Sequence, residues 1–247
     1  MRLALLADLH ANREALEACL AHARACGATD YAFLGDLVGY GAEPGWVVDC
    51  VRAYAAAGAV VVQGNHDLSA VVGPRPSMVD EARAGVTWTR RQLDAAQLAF
   101  LETLPLTARR EDRLFVHANT WAPDGWAYVQ ARADAVRCLQ AATQRHVFVG
   151  HVHEPQLYYL SGTGKSGEFT PEPGAPIPVP AHRRWLAIPG SVGQPRDGNP
   201  AACWAMLDGE GPTLTFHRVP YDHEAAAAKV RAAGLPERLA QRLVDGR

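Results

Sequence analysis

The sequence predicts an α/β fold that contains a partly parallel β-sheet, and three observations support this prediction. The chain has 247 residues, enough to bury one sizeable hydrophobic core. Short apolar runs recur along it, and each ends in glycine or polar residues. Helical patterns lie between the first three runs. Strands that alternate with helices in this way form parallel pairs, because each helix returns the chain to the starting edge of the sheet.

The apolar runs have the length and the Val, Leu and Phe content of buried strands. In chain order, the predicted strands are Leu3–Ala7, Tyr31–Leu34, Ala59–Val62, Leu114–Val116, Val147–Val149, Trp185–Ile188, Ala201–Leu207 and Leu214–Val219. The last two are expected to form a pair that is joined by a turn over Asp208–Pro212.

The helical patterns begin and end at characteristic residues. Asn12–Ala25 carries an apolar face and is followed by Gly27, a typical residue after a helix end. Pro44–Ala57 begins with a proline, whose missing N–H is harmless in a first turn. Further helices are predicted over Asp94–Leu104, Arg132–Ala142 and Glu224–Val244, the last of them broken by Gly234 and Pro236.

Residues 1–247 are expected to form one domain. The stretch 161–184 is dense in Gly, Pro and Ser, which predicts a surface loop or irregular hairpin inserted into that domain. Residues 222–247 are expected to form a C-terminal helical segment.

Composition argues against several classes of protein. The formal net charge is -2, so bulk binding of nucleic acid or of an acidic membrane is not expected. The five cysteines are odd in number and scattered, which indicates reduced thiols. Asp8 and His10 interrupt the N-terminal apolar run, and no window approaches the roughly 20 apolar residues of a membrane span. We therefore expect a cytoplasmic protein; its oligomeric state is not predicted.

Polar clusters follow five of the predicted strands. Because ligands of open α/β sheets bind beyond the carboxyl ends of the strands, these clusters are expected to converge although they are far apart in sequence. They are Asp8-Leu9-His10, Gly35-Asp36, Gly64-Asn65-His66-Asp67, His117 and Gly150-His151-Val152-His153.

The side chains of these clusters suit divalent cations. Imidazole nitrogens bind Mn, Fe, Ni or Zn, whereas carboxylate and amide oxygens accept harder ions. Alternation along an extended segment would let Asp8 and His10 share one metal. His151 and His153 would also share one, or would bind neighbouring ions if the chain bends tightly between them. Spacing alone does not decide between these two arrangements.

In their order, the clusters resemble the motifs of the calcineurin-like metallophosphoesterase superfamily, which are DxH, GD, GNH[DE], a single His and GHxH. The resemblance covers roughly Met1 to Val192. It implies a four-layer αββα sandwich of two stacked mixed β-sheets, with the metal site at the C-terminal ends of the strands. It also implies two divalent ions, with Mn expected and Fe, Ni, Zn or Mg as alternatives. One ion would be held by Asp8, His10, Asp36 and His153, and the other by Asp36, Asn65, His117 and His151, with Asp36 bridging.

The resemblance implies hydrolysis of a phosphate ester, by in-line attack of a hydroxide that bridges the two metals. His66 would face the substrate, where an imidazolium protonates the leaving oxygen or holds a phosphate oxygen. Asp67 is the second predicted catalytic residue, and it would either orient His66 or close the turn.

The second motif departs from that of protein serine/threonine phosphatases, GDxVDRG, because Gly35-Asp36 is followed here by Leu-Val-Gly-Tyr-Gly. Residues 8–12 and 189–196 look like those of small bacterial and archaeal phosphodiesterases, so a phosphodiesterase acting on a small phosphorylated substrate, such as a nucleotide, is the leading hypothesis. A dinucleoside polyphosphate hydrolase, of the diadenosine tetraphosphate type, is the alternative. A non-catalytic protein-binding scaffold is disfavoured, because His66 and every expected ligand are present.

Substrate contacts are predicted from position. Asn12 suits either a hydrogen bond to a phosphate or the N-cap of the first helix. Arg196 lies in a Gly- and Pro-rich loop near the predicted metal edge. Trp121 and Trp126 either stack on a nucleobase or pack in the core or a lid. Ser69–Pro76 is a candidate loop over the site.

Overall fold

Two mixed β-sheets form the middle of the computed structural model, which describes residues 1–74, 78–209 and 212–247. The strands are β1 (Arg2–Leu6), β2 (Asp30–Phe33), β3 (Val60–Val61), β4 (Thr107–Arg110), β5 (Arg113–Val116), β6 (His146–Val149), β7 (Pro155–Ser161), β8 (Ser166–Phe169), β9 (Pro176–Pro178), β10 (Arg183–Pro189), β11 (Ala202–Asp208) and β12 (Thr213–Val219). The α-helices are α1 (Arg13–Ala25), α2 (Pro44–Ala56), α3 (Asn65–Val72), α4 (Asp80–Gln92), α5 (Ala95–Thr103), α6 (Arg132–Ala141), α7 (His223–Ala232) and α8 (Glu237–Asp245).

Each sheet has a parallel part that is continued by antiparallel strands. The first sheet has the order β3-β2-β1-β11-β12-β9, in which β1, β2 and β3 are parallel. The second has the order β4-β5-β6-β10-β7-β8, in which β5, β6 and β10 are parallel. Parallel neighbours end at the same edge, so the loops after β1, β2, β3, β5 and β6 meet there.

The core lies in layers that follow the alternation of side chains along the strands. In β1, Leu3 and Leu5 face the second sheet and pack in a cluster with Phe115 and Phe148. The intervening residues of β1 face the other way and pack with α1 and α2. On the far side, α6 packs against the second sheet. Helices therefore cover both outer faces, which confirms the predicted four-layer αββα sandwich.

Several elements have no counterpart in the sequence prediction. Helix α4 buries Ala82, Gly85, Val86 and Thr89, of which Val86 alone is a larger apolar residue. Strand β4 is largely exposed and carries two arginines. Strand β9 is a sheet edge, where Pro176 and Pro178 are tolerated because proline lacks an N–H to donate. Residues 161–184 thus contain β8 and β9 as well as loop.

Two predicted turns extend beyond the described residues. The candidate loop Ser69–Pro76 begins inside α3, which continues to Val72, and its residues 75–76 lie outside the described ranges. The turn between β11 and β12 includes residues 210 and 211, which also lie outside them. None of the helices in the described part of the chain has the length and apolar character of a membrane span.

The C-terminal helices α7 and α8 pack on each other and on the loop that follows β2. Their shared apolar cluster includes Tyr40 and Ala42 of that loop. The Lys229 ammonium of α7 forms ion pairs with Glu14 of α1 and with Glu43. The C-terminal helices thereby support the loop after β2, which forms part of the sheet edge where the polar clusters lie.

Candidate metal centre

The loops at the common edge bring all seven predicted metal ligands together. Each group lies just beyond a strand, as the sequence predicts, except that Asn65 already belongs to the first turn of α3. The ligands are Asp8 and His10 after β1, Asp36 after β2, Asn65 after β3, His117 after β5, and His151 and His153 after β6.

The donor atoms fall into two neighbouring groups. In the first, His153 Nε2 lies 3.1 Å from His10 Nε2 and 3.5 Å from Asp8 Oδ1. In the second, His117 Nε2 lies 3.1 Å from His151 Nδ1 and 3.4 Å from Asp36 Oδ2. Each group has the spacing of a metal-ligand set. His151 and His153 thus belong to different groups, which is the divided arrangement.

Asp36 lies between the two groups. Its Oδ2 atom is 3.4 Å from His117 Nε2 in one group and 3.8 Å from His10 Nε2 in the other. Its Oδ1 atom accepts a hydrogen bond from the backbone N–H of His66, at 2.8 Å. Asn65 Oδ1 is 3.1 Å from His117 Nε2, so the amide oxygen joins the second group.

The four imidazoles are held in one tautomer each by backbone carbonyls. A carbonyl oxygen can only accept, so the ring nitrogen that faces it carries the proton. In the neutral form of each ring, the remaining nitrogen turns its lone pair toward the donor groups, as in metal-binding histidines generally. The pairs are His10 Nδ1 with Val38 O at 3.2 Å, His117 Nδ1 with Leu34 O at 2.7 Å, His153 Nδ1 with Gln194 O at 2.6 Å, and His151 Nε2 with Trp126 O at 3.0 Å.

The backbone at five of the seven predicted ligands is left-handed, not extended. The φ angles are 54° at Asp8, 45° at His10, 51° at Asp36, 69° at His151 and 70° at His153. Such non-glycine conformations cost of order 1–3 kcal/mol each, and they persist where the surrounding structure enforces them. The extended segment expected at Asp8 and His10 is therefore not present. Tight turns, not an extended segment, bring these side chains to one group.

The loop after β10 fixes the end of β1. Ser191 Oγ donates to the carbonyl of Asp8 at 2.8 Å, and the N–H of Gly193 donates to the same oxygen at 2.9 Å. The N–H of His151 donates to both carboxylate oxygens of Asp8, at 3.0 Å each. Asp8 is thus positioned by two other loops before any ligand is present.

Gly64 permits the close approach of the loops after β2 and β3. A Cβ atom at this position would lie 2.9 Å from Asp36 Cα and closer still to the N and Oδ1 atoms of Asp36. Only a glycine leaves the Asp36 carboxylate where it is.

Asp67 closes the turn, which is one of the two roles that the sequence allows. Its carboxylate accepts three backbone hydrogen bonds, from Leu37 at 2.8 Å, Val38 at 3.2 Å and Gly64 at 2.9 Å. Among the described residues it has no bond to His66. These hydrogen bonds join the loops after β2 and β3, and the catalytic role predicted for Asp67 stays a prediction.

Burial controls the charges of the donors. The side chains of Asp8, Asp36 and His117 are at most 1% exposed. Burial raises the pKa of Asp8 to about 7 although His117 opposes it. Burial also acts to raise the pKa of Asp36, but the neighbouring His117 and His66 rings hold it well below its usual range. Burial lowers the pKa of His151 to about 3.

His117 is the exception among the histidines. Burial acts to lower its pKa, but the Asp36 carboxylate, at hydrogen-bond distance, and Asp8 raise that pKa to about 9. The chain without cations therefore keeps one proton in the second donor group. A cation bound there has to displace that proton, since the ligand form of histidine is neutral.

His66 lines a cleft of about 200 Å³ over the donor groups, together with Tyr40, Tyr128 and Arg196. Its Nδ1 atom is buried and has no hydrogen-bond partner among the described residues. Burial lowers the pKa of His66, so its ring is neutral near pH 7, in contrast to the imidazolium expected from the sequence. The Arg196 guanidinium lies over the Tyr40 ring, 5.8 Å from its centroid.

Tyr128 is the site residue that sequence reasoning missed. Its ring stacks on that of His151, with centroids 4.0 Å apart and planes 9° apart, and the residue is 43% exposed. It lines the first cleft and a second one of about 470 Å³, which Arg196 also lines. No periodicity or motif marks Tyr128, and its proximity to Trp126 in the sequence was the only available signal.

Three residues suggested as substrate contacts have other roles. Asn12 is the N-cap of α1, which confirms that alternative: its Oδ1 accepts from the N–H of Ala15, and its amide donates to Gly193 O and Tyr221 Oη. Trp121 packs beside α6 under the Arg137 guanidinium. Trp126 is only 8% exposed. Packing, not base stacking, is the role of both tryptophans in this structure.

Comparison with known proteins identifies relatives over the whole length of the chain. The model of the calcineurin-like phosphoesterase superfamily domain matches residues 1–211. The crystal structure of a metallophosphoesterase from Sphaerobacter thermophilus is 37% identical, with a TM-score of 0.87 and 100% of both chains covered.

Two further relatives are archaeal. The uncharacterized protein MJ0912 of Methanocaldococcus jannaschii is 32% identical over 250 residues, covering 99% of this chain and 98% of its own. The hypothetical protein PH1004 from Pyrococcus horikoshii OT3 shares the fold at 19% identity, with a TM-score of 0.78 and coverage of 100% and 98%.

Proposed function

Because the chain belongs to the calcineurin-like phosphoesterase superfamily, whose members are metal-dependent hydrolases of phosphoric esters, we propose that it is a phosphodiesterase with a two-metal centre. The observation that carries this proposal is the pair of donor groups on either side of Asp36. One group would hold a first cation through Asp8, His10 and His153. The other would hold a second cation through Asn65, His117 and His151. Asp36 would contribute to both.

The residues present fit two cations. In the first group, the Nε2 atoms of His10 and His153 turn lone pairs toward each other at 3.1 Å, an arrangement that a shared cation relieves. In the second group, a cation would replace the proton that His117 carries beside Asp36 and His151. The carboxylates of Asp8 and Asp36 are buried, and buried charges require compensation. Divalent ions held there would supply Lewis acidity, polarising phosphoryl oxygens and making water acidic enough to provide a nucleophile near neutral pH. The mixed N and O donors suit Mn, the expected metal, and do not exclude Fe, Ni or Zn.

His66 and Arg196 would bind the phosphoryl group from the side of the cleft. The neutral His66 ring retains one imidazole N–H, which would be donated to a phosphate oxygen or to the leaving oxygen. A bound phosphate anion would also raise the pKa of His66 and so favour proton transfer. Arg196 would supply a fixed positive charge, and its guanidinium is positioned by Gln194, whose Oε1 accepts from Nη2 at 3.0 Å.

The second cleft would accommodate the other alcohol of a diester. It adjoins the metal side through Tyr128 and Arg196, which line both clefts. Its remaining lining includes Val129, Val152 and Tyr158, so it offers apolar surface to an organic group. The exposed Tyr128 ring would stack on an aromatic alcohol or on a nucleobase.

The charges of the clefts favour a diester over a dinucleoside polyphosphate. Among the described residues that line the two clefts, Arg196 is the only Lys or Arg, and Glu154 adds a carboxylate to the second. A chain of several phosphates carries more negative charge than one guanidinium offsets. Structural similarity to a putative diadenosine tetraphosphatase, at 13% identity and a TM-score of 0.53, concerns the fold alone.

The proposal is tested with metal-stripped protein that is reloaded with Mn, Fe, Ni, Zn or Mg. The substrates are bis-p-nitrophenyl phosphate, p-nitrophenyl phosphate and diadenosine tetraphosphate. We expect the highest kcat/KM for the diester, with two Mn ions bound per chain by calorimetry. Asp36→Asn should abolish both the activity and the binding of the second ion.

A matched control is Asp30→Asn, at the opposite end of β2, where the carboxylate forms a surface ion pair with Arg110. This variant should keep full activity. Binding of a single Mn ion by an active enzyme would refute the two-metal centre. Faster turnover of diadenosine tetraphosphate than of the diester would replace the phosphodiesterase with the polyphosphate hydrolase.

A further inference from the structure

A second cluster of metal-binding side chains lies between α1 and the first sheet. His22 lies in the last turn of α1, and Cys26, four residues later, is the C-cap of this helix and still has helical backbone angles, so the two side chains project from the same side. His217 comes from β12, nearly 200 residues later in the chain. One ligand atom from each of the three lies within 4.8 Å of the other two. The cluster shares no residue with the centre described above.

The distance between Cys26 Sγ and His22 Nδ1 matches that between two ligands of a tetrahedral zinc ion. The Cys26 Sγ atom lies 3.6 Å from His22 Nδ1. Zinc–sulfur and zinc–nitrogen bonds of about 2.3 and 2.0 Å at a tetrahedral angle separate the two atoms by about 3.5 Å. Only a small rotation of side chains is therefore needed to place a cation between them.

His217 provides an independent observation. Its Nε2 atom is buried and has no hydrogen-bond partner among the described residues. Burial, with His22 nearby, lowers the pKa of His217 to about 4, so the ring is neutral and can act as a ligand. The His217 ring stacks on the ring of Trp204, its cross-strand partner, with ring centroids 4.4 Å apart. A positively polarised imidazole would be stabilised by that indole face.

We propose that His22, Cys26 and His217 bind one Zn²⁺ ion that links α1 to β12. One thiolate and two imidazoles form a donor set that zinc prefers to harder ions such as Mg or Mn. All three residues are half-buried, so a water molecule completes the fourth position. The ion is structural: it joins the last turn of a helix from the start of the chain to a strand near its end.

The sulfur ligand distinguishes this site from the catalytic centre. The donors of the centre at the sheet edge are nitrogen and oxygen atoms only. Cobalt(II), the probe for zinc, absorbs in the near ultraviolet by charge transfer when a thiolate is bound, whereas nitrogen and oxygen ligands give no such band. Titration of the reduced full chain with Co²⁺ should therefore produce this band, and Zn²⁺ should abolish it by displacement.

Variants establish which residues bind the metal. Cys26→Ser should remove the band completely, and His217→Ala should weaken Co²⁺ binding at this site at least about tenfold. Cys50→Ser is the matched control, because Cys50 is also a half-buried thiol but belongs to no cluster of this kind within residues 1–74, 78–209 and 212–247. It should leave the band unchanged. Asp36→Asn should also leave it unchanged, while it removes binding of the second ion at the sheet edge.

A second measurement does not depend on variants. Zn²⁺ should protect Cys26, but not Cys50, from alkylation in the folded wild-type chain, as resolved by peptide mass spectrometry. Absence of the band at saturating Co²⁺, or its persistence in Cys26→Ser, would overturn the proposal. Equal alkylation of Cys26 with and without Zn²⁺ would do the same. In these cases the contact between His22 and Cys26 is a local hydrogen bond within the helix.

Discussion

The substitution Gly64→Ala tests whether the metal centre depends on the close approach of two loops. The added Cβ would lie 2.9 Å from Asp36 Cα, whereas carbon atoms in contact are separated by about 3.5–4.0 Å. One loop therefore has to move by on the order of 1 Å, and Asp36 moves with it. A displacement of this size at a reacting centre lowers kcat/KM by about 100-fold.

The same substitution has a cost in stability. Overpacking of a tight contact lowers the free energy of unfolding by about 1–3 kcal/mol. For a chain of this size each kcal/mol lowers Tm by about 2–4 °C, so Tm should fall by about 2–12 °C. The assays are differential scanning calorimetry of the metal-free chain, Mn calorimetry and diester hydrolysis.

The control for this prediction is Gly162→Ala, where an added Cβ meets no atom within 4 Å. This variant should match the wild type in Tm, Mn affinity and kcat/KM. If Gly64→Ala binds Mn with wild-type affinity and keeps its activity, the loops are more compliant than the contact distances indicate. The inferred dependence of the bridging carboxylate on Gly64 would then be wrong.

Three further predictions concern single side chains. Tyr128→Ala should raise KM for bis-p-nitrophenyl phosphate about tenfold or more, because stacking contributes about 1–3 kcal/mol. Tyr128→Phe should keep a KM near that of the wild type. If Tyr128→Ala raises KM for the monoester by the same factor, Tyr128 supports His151 instead of binding the second alcohol. His117 keeps its proton up to about pH 9 in the metal-free chain. Its interaction with Asp36 therefore stabilises that chain fully below the ordinary histidine pKa of about 6.5. This stabilisation is lost as the pH rises through about 9. Calorimetry at pH 7.5 in buffers of different ionisation enthalpy should therefore show about one proton released on Mn binding, declining above pH 9, and no release would contradict the raised pKa. Asn12→Ala should lower the free energy of unfolding by about 0.5–2 kcal/mol with little change in kcat. Asn12→Ser should restore most of the loss, since serine also caps helices. A large fall in kcat/KM in both variants would indicate a substrate contact.

The convergence of the seven candidate ligands could be predicted because they follow apolar strands in a fixed order. A buried parallel strand is continuously apolar, and its carboxyl end is marked by the first polar residues, such as Asp8 or Asp36. The position of a ligand at the common edge then follows from topology alone. The division of His151 and His153 between two groups did not follow, because it depends on left-handed turns that spacing does not encode.

The parts that escaped prediction lack such a pattern. Strand β4 and the proline-containing β9 are sheet edges, whose exposed residues show no apolar alternation. Helix α4 buries mostly small or polar residues, with Val86 as the one larger apolar residue among them. Tyr128 reaches the site through the path of an irregular loop, and tertiary packing alone determines that path. Substrate contacts therefore escape prediction more readily than metal ligands.

The position of β11 has a consequence for the synthesis of this protein. Strand β1 pairs with β2 on one side and with β11 on the other. In the pair with β11, Leu3 lies opposite Leu207. The ribosome thus releases the first strand of the sheet long before its antiparallel neighbour exists. Contacts of such large sequence separation form slowly. Because Asp8 also depends on Ser191 and Gly193 for its position, we expect that the nascent chain acquires its ions only after synthesis is nearly complete.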